Sequence, residues 1–336
     1  MRIVLLDDIG IGAEDICRLE EKGEVHVCSG VPSGDDEIVE RARDAEVVIS
    51  GWTKIGGEVI DSLPSLQLIS LWATGLDNVG LAAASERNVM VCHVPSYATN
   101  AVAELALGLM LAVMRKMPAA DQHLRRTHSS DWRPFQGGEL SGKTLGVVGT
   151  GVIGQRLARL GHCLGMSLLG HDLRPSEALV DDLGMRCAPL TDIFAENDVV
   201  TLHVPRTHDT EHLVDAALLR LLPETAVIIT TARARLIRQD DLYEALRKKT
   251  IAGAGLDVID LGCESGPRLL ELENVVFTPH IGLYTREALG KLTASCVENV
   301  IRFLDGRPIN VVDPPLASPG RQRDAEHARE VENDGV

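Results

Sequence analysis

One stretch constrains this chain more than any other: TLGVVGTGVIGQRLARL, residues 144–160. An apolar run meets Gly149-x-Gly151-x-x-Gly154, and an amphipathic helix opens inside the glycines. Gly149 permits a tight turn, Gly151 lets backbone approach a pyrophosphate, and Gly154 lets helix and strand pack closely. The helix start, at Val152 and Ile153, then faces the anion with its free N–H groups. An acid is required about 20 residues on, at the end of the next strand, to take ribose hydroxyls. Asp172, in LLGHDLRP, fills that place. Its carboxylate repels a 2′-phosphate, which favours NAD over NADP, although Arg174 stands close by.

The position of this loop matters as much as its pattern. A complete series of strand-like and helix-like pieces precedes it: RIVLLD, EVHVCSG, EVVISG, LQLISLWA and VMVCHV, with helical stretches at 35–43 and 82–86. A second series follows: SLLGHD, DVVTLHV, AVIITT, GAGLDV and VVFTP, with helices at 153–164, 193–196, 216–222 and 240–247. Alternation of this kind gives parallel sheets with right-handed crossovers. Between the two series, NAVAELALGLMLAVMRKM reads as a buried helix over 100–117 capped by Asn100, followed by a polar stretch over 122–138 in which SSDWRPFQGG is a loop. A long helix over 285–304 and the segment PINVVD lead back to the first series. The expected fold is therefore α/β, with two Rossmann-like or flavodoxin-like domains. A substrate-binding domain, 1–99 with 286–316, carries an inserted nucleotide-binding domain, 100–285, and the cleft between them holds substrate. The polar segment 317–336 reads as a disordered tail.

Composition narrows the function classes. With 336 residues the chain suits two cores, and with 3% aromatics those cores are built from Leu, Val, Ile and Ala. A net charge of -16 argues against a nucleic-acid partner and for solubility. The seven cysteines lie far apart without any CxxC, so reduced thiols are expected and no metal. MRIVLLDD enters a strand at once, and the longest apolar stretch, 101–113, contains Glu104 and is too short to span a bilayer. The expectation is a soluble, cytoplasmic protein with no membrane partner.

Several further motifs occur in one order: ATGLDNV, TNAVAELALGLML, ELSGKTLGVVGTGVIG, IITTARARLIRQDDLYEAL, GAGLDV and NVVFTPHIG. Together they resemble the D-isomer-specific 2-hydroxyacid dehydrogenases from Met1 to Asp313. That family includes phosphoglycerate, glycerate and D-lactate dehydrogenases and, more distantly, phosphite dehydrogenases. The chemistry needs a held carboxylate, a polarised carbonyl, and a proton exchanged as hydride moves. His280 is the candidate acid/base, because an imidazole titrates near neutrality. Arg233 matches the family arginine, whose planar fork suits a carboxylate and its neighbouring carbonyl. The resemblance implies that Ala73, Thr74 and Gly75 offer N–H groups to the substrate carboxylate. It also puts Asp257 at the nicotinamide carboxamide and Thr99 in the cofactor pocket, alongside Thr231. His203 ends a strand near the expected cofactor edge, and Gly282 leaves the cofactor room. Trp52, in SGWTKIG, is a candidate cap over the substrate. The family's usual dimer implies a homodimer, with the apolar helix over 100–117 as a plausible interface.

The chain also departs from the pattern. The family glutamate that pairs with the catalytic histidine falls on Gly262, in a shortened segment. Glu264 is the first candidate replacement and Asp260 the second. Thr230 and Ala234 replace the usual Asn and Gly around Arg233, and Ser50 stands where related phosphoglycerate enzymes carry an arginine. Three functional readings follow. The first is an NAD-dependent oxidoreductase of a small 2-hydroxy acid. The second is a divergent dehydrogenase of a phosphonate, phosphite or similar anion. The third is a non-catalytic NAD-sensing scaffold.

Overall fold

The computed structural model describes residues 1–312. The expected tail, 317–336, and the end of PINVVD lie outside them. The chain divides into two compact units, Met1–Tyr97 with the segment returning at Arg286, and Ala98–Thr285.

The first unit is built on five parallel strands: β1 Arg2–Leu5, β2 Glu24–Val27, β3 Val47–Ser50, β4 Leu68–Leu71 and β5 Met90–Cys92. Their order is β2-β1-β3-β4-β5. The runs VVIS and LISL are buried at every residue, as strands covered on both faces must be. Val48 and Ile69 pack towards Ile38, Val59 and Ile60 on one face. Val47, Ile49 and Leu68 pack towards Leu292, Cys296 and Val300 on the other. Those last three belong to the helix Arg286–Leu304, so the chain must return before this sheet has a second cover. The strand order reverses between β1 and β3, which places a ligand-binding crevice at their carboxyl ends.

The second unit holds seven parallel strands: β6 Thr144–Val148, β7 Ser167–His171, β8 Arg186–Cys187, β9 Val199–Leu202, β10 Val227–Thr230, β11 Gly253–Leu256 and β12 Val275–Phe277. Their order is β12-β11-β10-β9-β6-β7-β8, with the reversal between β9 and β6. Helix Thr99–Met114 packs on β10, β11 and β12 and against helix Val152–Cys163, which explains its apolar sequence.

Three local readings are corrected. The helix expected over 100–117 begins at Thr99, with Ala98 rather than Asn100 at its cap position, and makes no side-chain cap. It stops at Met114 because Lys116 turns left-handed at φ 50°. A second helix, Met117–Thr127, then takes up the start of the polar stretch, ahead of the SSDWRPFQGG loop, with Pro118 in its first turn, where a missing N–H costs nothing. Strand β8 escaped notice because its two residues are exposed and show no apolar alternation.

Candidate active site

The glycine loop leaves β6 through Gly149, whose φ of 94° is left-handed. A Cβ there would stand 2.7 Å from the carbonyl carbon of His203, and one on Gly154 only 2.0 Å from the Gly149 oxygen. Glycine is thus dictated at both positions by backbone on backbone. Gly151 is different: nothing lies within 4 Å of its would-be Cβ. It faces open space at the amino end of helix Val152–Cys163, with Val152 exposed and Ile153 half-buried behind it. An open, positively polarised helix end of this kind suits a pyrophosphate.

Asp172 reaches back into this loop. Its Oδ2 accepts the Thr150 N–H at 2.6 Å and the Thr150 hydroxyl at 3.2 Å, and Oδ1 accepts the Arg174 N–H at 3.0 Å. A carboxylate accepts about four hydrogen bonds, which leaves room for a ribose hydroxyl. Across the strand reversal, His203 follows β9, its N–H bonded to Val148 O at 2.7 Å and its Nε2 2.9 Å from the Thr201 hydroxyl. Burial pushes its imidazole down to about 4, so the ring is neutral near pH 7.

The remaining candidates of this unit gather at the carboxyl ends of the neighbouring strands β10, β11 and β12. After β10 comes Thr231, whose buried hydroxyl has no hydrogen-bond partner among the described residues. An orphaned buried hydroxyl at this edge fits a site built for a polar ligand. Arg233, partly buried, follows it and donates Nη1–H to Ala232 O at 2.9 Å. Arg235 is exposed and pairs with Asp260 at 3.1 Å and Glu211 at 3.3 Å.

After β11, Asp257 is 1% exposed. Its Oδ1 accepts the Thr278 hydroxyl at 2.6 Å and the Ile281 N–H at 2.9 Å, while Oδ2 accepts the Gly282 N–H at 2.9 Å. Its main-chain oxygen accepts the His280 N–H at 2.8 Å. The turn after β12 is therefore folded around one carboxylate. A Cβ on Gly282 would lie 3.0 Å from Oδ2, so glycine keeps that bond short. His280 is presented from this turn at φ 56°, exposed, and its ring makes no hydrogen bond or ion pair among the described residues. Glu264 is not brought to it: it is exposed at the cap position of helix Ser265–Leu269. Asp260 is engaged elsewhere, by Arg235 and by the Gly262 N–H at 3.0 Å, which together hold its carboxyl below the usual range. Thr99 opens its helix in the same unit.

In the first unit, the crevice residues follow β1 and β3. Asp7, 1% exposed, takes three successive N–H groups on Oδ2, those of Gly51 at 2.7 Å, Trp52 at 2.9 Å and Thr53 at 3.2 Å. The Thr53 hydroxyl donates to Oδ1. The loop that carries Trp52 is thus wrapped around an internal anion. Trp52 is half exposed and meets Trp72 edge to face at 5.5 Å, and Trp72 is anchored by Nε1–H to the Thr293 hydroxyl at 2.9 Å. Ala73, Thr74 and Gly75 form the turn after β4, their main-chain N–H groups donating to no acceptor among the described residues. Two residues of this unit escaped the sequence reading: Asp7, whose only signal was an acid at the end of β1, and His93, which sits against the Ala73–Gly75 turn.

Among the described residues no group of His, Cys, Asp and Glu is arranged to hold a metal, and no helix is long and apolar enough to cross a membrane. Residues 107–282 match the model of the D-isomer specific 2-hydroxyacid dehydrogenase NAD binding domain. D-3-phosphoglycerate dehydrogenase of Methanocaldococcus jannaschii is 36% identical over 84% of this chain, which spans 55% of that longer protein. Glyoxylate reductase of Korarchaeum cryptofilum is 33% identical over 89% of this chain and 92% of its own. Among solved structures, an acyclic imino acid reductase, Bsp5, in complex with NADPH and D-Arg superposes with a TM-score of 0.86 at 31% identity. It covers 93% of this chain and 100% of that one. The chain belongs to the D-isomer-specific 2-hydroxyacid dehydrogenase family. It is an oxidoreductase of 2-hydroxy or 2-oxo acids, its cofactor is NAD, and its nucleotide-binding Rossmann domain is inserted into a substrate-binding domain.

Proposed function

We propose that this enzyme interconverts a small 2-hydroxy acid of D configuration and its 2-oxo acid, with His280 exchanging the proton. The observation that carries this reading is the presentation of Arg233 and His280 on the β10–β12 edge of the same sheet that carries the glycine loop. The nicotinamide, when bound, supplies or accepts the hydride. Gly149, Gly151 and Gly154 make room for the pyrophosphate at the N–H groups of Val152 and Ile153, and Asp172 takes the ribose. Thr99, His203, Thr231, Asp257 and Gly282 line the rest of the cofactor's path. Arg233 holds the substrate carboxylate and polarises its carbonyl. Ala73, Thr74 and Gly75 donate N–H groups to that carboxylate, and Trp52 caps it.

In reduction, a protonated His280 gives its Nε2 or Nδ1 hydrogen to the carbonyl oxygen as the carbon gains hydride. In oxidation the neutral ring takes the hydroxyl proton back. Glu264 and Asp260 both lie in other arrangements, so among the described residues no carboxylate is held against the His280 ring.

The bare ring also favours a second reading, reduction of an imino acid, in keeping with the similarity to the imino acid reductase. A C=N nitrogen is basic enough to take its proton from solvent and leaves less for a general acid to do. NADH oxidation is to be measured against glyoxylate, pyruvate and hydroxypyruvate, each with and without ammonium or methylamine, and NAD reduction against phosphite. Turnover of the free 2-oxo acids supports the first reading; turnover only with amine supports the second; turnover only of phosphite points to a divergent anion dehydrogenase. Binding of NAD without any turnover points to a scaffold and sinks both readings.

The reading includes a homodimer. Helix Thr99–Met114 spends most of its apolar surface inside its own unit, whereas Met117, Leu124 and Trp132 beyond it remain exposed. A second copy of the chain is the occupant this apolar surface suits. Sedimentation showing a monomer for the wild type, or an unchanged dimer for the triple variant Met117→Ser, Leu124→Ser, Trp132→Ser, would remove this surface from consideration.

A further inference from the structure

We propose that His93 is a positioning residue that aims the Gly75 N–H at the substrate carboxylate. This rests on the reading that Ala73, Thr74 and Gly75 bind that group. His93 follows β5, and its Nδ1 lies 3.0 Å from the Thr74 carbonyl oxygen. A carbonyl only accepts, so Nδ1 carries the hydrogen and donates it. The Thr74 C=O and the Gly75 N–H belong to one planar, trans peptide and point in opposite directions. Holding the oxygen from one side therefore fixes the direction of the N–H on the other. The bond also polarises that peptide and makes its N–H a stronger donor.

The preceding peptide is held in the same way. The Val94 N–H donates to Ala73 O at 2.9 Å, which sets the Thr74 N–H, and the Thr74 hydroxyl donates to Val94 O at 2.6 Å. Consecutive residues, His93 and Val94, thus grip consecutive peptides of the turn. His93 is itself braced. Its N–H donates to Asn310 O at 3.1 Å, and its carbonyl accepts Nδ2–H of Asn299 at 2.9 Å. Asn299 is fully buried, and its Oδ1 accepts Nδ2–H of Asn310 at 2.8 Å. The returning helix and the segment after it thereby hold the residue that holds the turn. The two N–H groups so oriented, those of Thr74 and Gly75, donate to nothing else among the described residues.

The test compares His93→Leu, His93→Ala and His93→Asn with the wild type. The Asn amide nitrogen occupies the place of Nδ1 and can make the same bond. The readouts are KM and kcat for the 2-oxo acid that the wild type reduces best, dissociation of oxamate from the NADH complex, and dissociation of NADH alone. Expected is a rise of about 10-fold in KM and in the oxamate dissociation constant for Leu and Ala, as for one lost hydrogen bond to a charged ligand. NADH affinity should hold, kcat should change less than KM, and Asn should restore most of the loss. Wild-type values for both Leu and Ala, or an Asn variant as impaired as they are, would overturn the proposal. Should the wild type itself neither reduce a 2-oxo acid nor bind oxamate, the proposed function fails and this inference with it. A failure confined to the His93 variants leaves that function standing.

Discussion

Asp257 holds the turn that presents His280: its main-chain oxygen takes the His280 N–H at 2.8 Å while its carboxylate takes the two N–H groups that follow. A non-glycine residue at φ 56° costs of order 1 kcal/mol, and three flanking hydrogen bonds to one charged, buried group outweigh that. Removing the carboxylate leaves buried donors unpaired. Asp257→Ala should destabilise the protein by about 2–4 kcal/mol, measured by urea unfolding, and lower kcat by more than 10-fold. Unchanged stability would mean that the turn folds without the acid.

Glu264→Gln should leave the pH–rate profile superimposable on that of the wild type, because Glu264 is exposed and makes no contact with the His280 ring. His280→Gln, the control, should lower kcat by about 10²–10⁴-fold while NADH still binds, as for loss of a general acid. A displaced acidic limb in Glu264→Gln would show that the loop carries its acid to His280 during turnover.

Gly154→Ala tests the nucleotide loop by sterics alone. The added carbon meets the Gly149 oxygen at 2.0 Å, so helix and strand must part. Expected are a loss of stability of about 1–3 kcal/mol and a dissociation constant for NADH raised at least 10-fold. Gly151→Ala, with open space in front of it, should fold like the wild type and lose only nucleotide affinity. Equal Tm values for all three proteins would contradict the packing described.

Asp172 holds the Thr150 turn, and under the proposed function it also takes the ribose. Asp172→Ala should reduce the kinetic preference for NAD over NADP by about 10- to 100-fold, since it removes both an acceptor and a charge that repels a 2′-phosphate. The ratio of kcat/KM values for the two cofactors measures this directly, and an unchanged ratio would assign discrimination to another residue.

His203 predicts a pH dependence of stability. Its folded pKa, about 4, lies below the ordinary value of 6.5 because burial disfavours the charged ring. Between those values the unfolded chain binds a proton that the folded chain refuses. The contribution is therefore whole above pH 6.5 and is lost as pH falls towards 4, up to roughly 3 kcal/mol, less whatever solvent still reaches the ring. His203→Gln should flatten the urea-unfolding stability between pH 6.5 and 4.5 relative to the wild type.

Much of this was legible in the chain. The glycine spacing, the strand before it and Asp172 after it are local signals, because each is imposed by a neighbour less than about 25 residues away. The same holds for VVIS and LISL, whose unbroken apolar runs announce burial on both faces. The break at Lys116 and the short strand β8 were hidden because neither has an apolar period to read. Asp7 and His93 were hidden for another reason: each acts on a loop belonging to a different strand, Asp7 across 44 residues and His93 across 19, and no residue pattern marks either pairing.

By itself, then, the sequence determined the class of fold and the cofactor-binding loop, which follow from periodicity and from residue chemistry in a fixed local order, and it made Arg233 and His280 candidates through the resemblance of their motifs to the family. Only the tertiary structure decided what stands beside them. Glu264 and Asp257 are both acids near the same segment of chain, yet one is exposed on a helix end and the other is buried under the His280 turn. The difference is made by strand pairing, which sets Leu256 at the end of β11 beside Phe277 at the end of β12, while Glu264 belongs to the segment that joins the two strands.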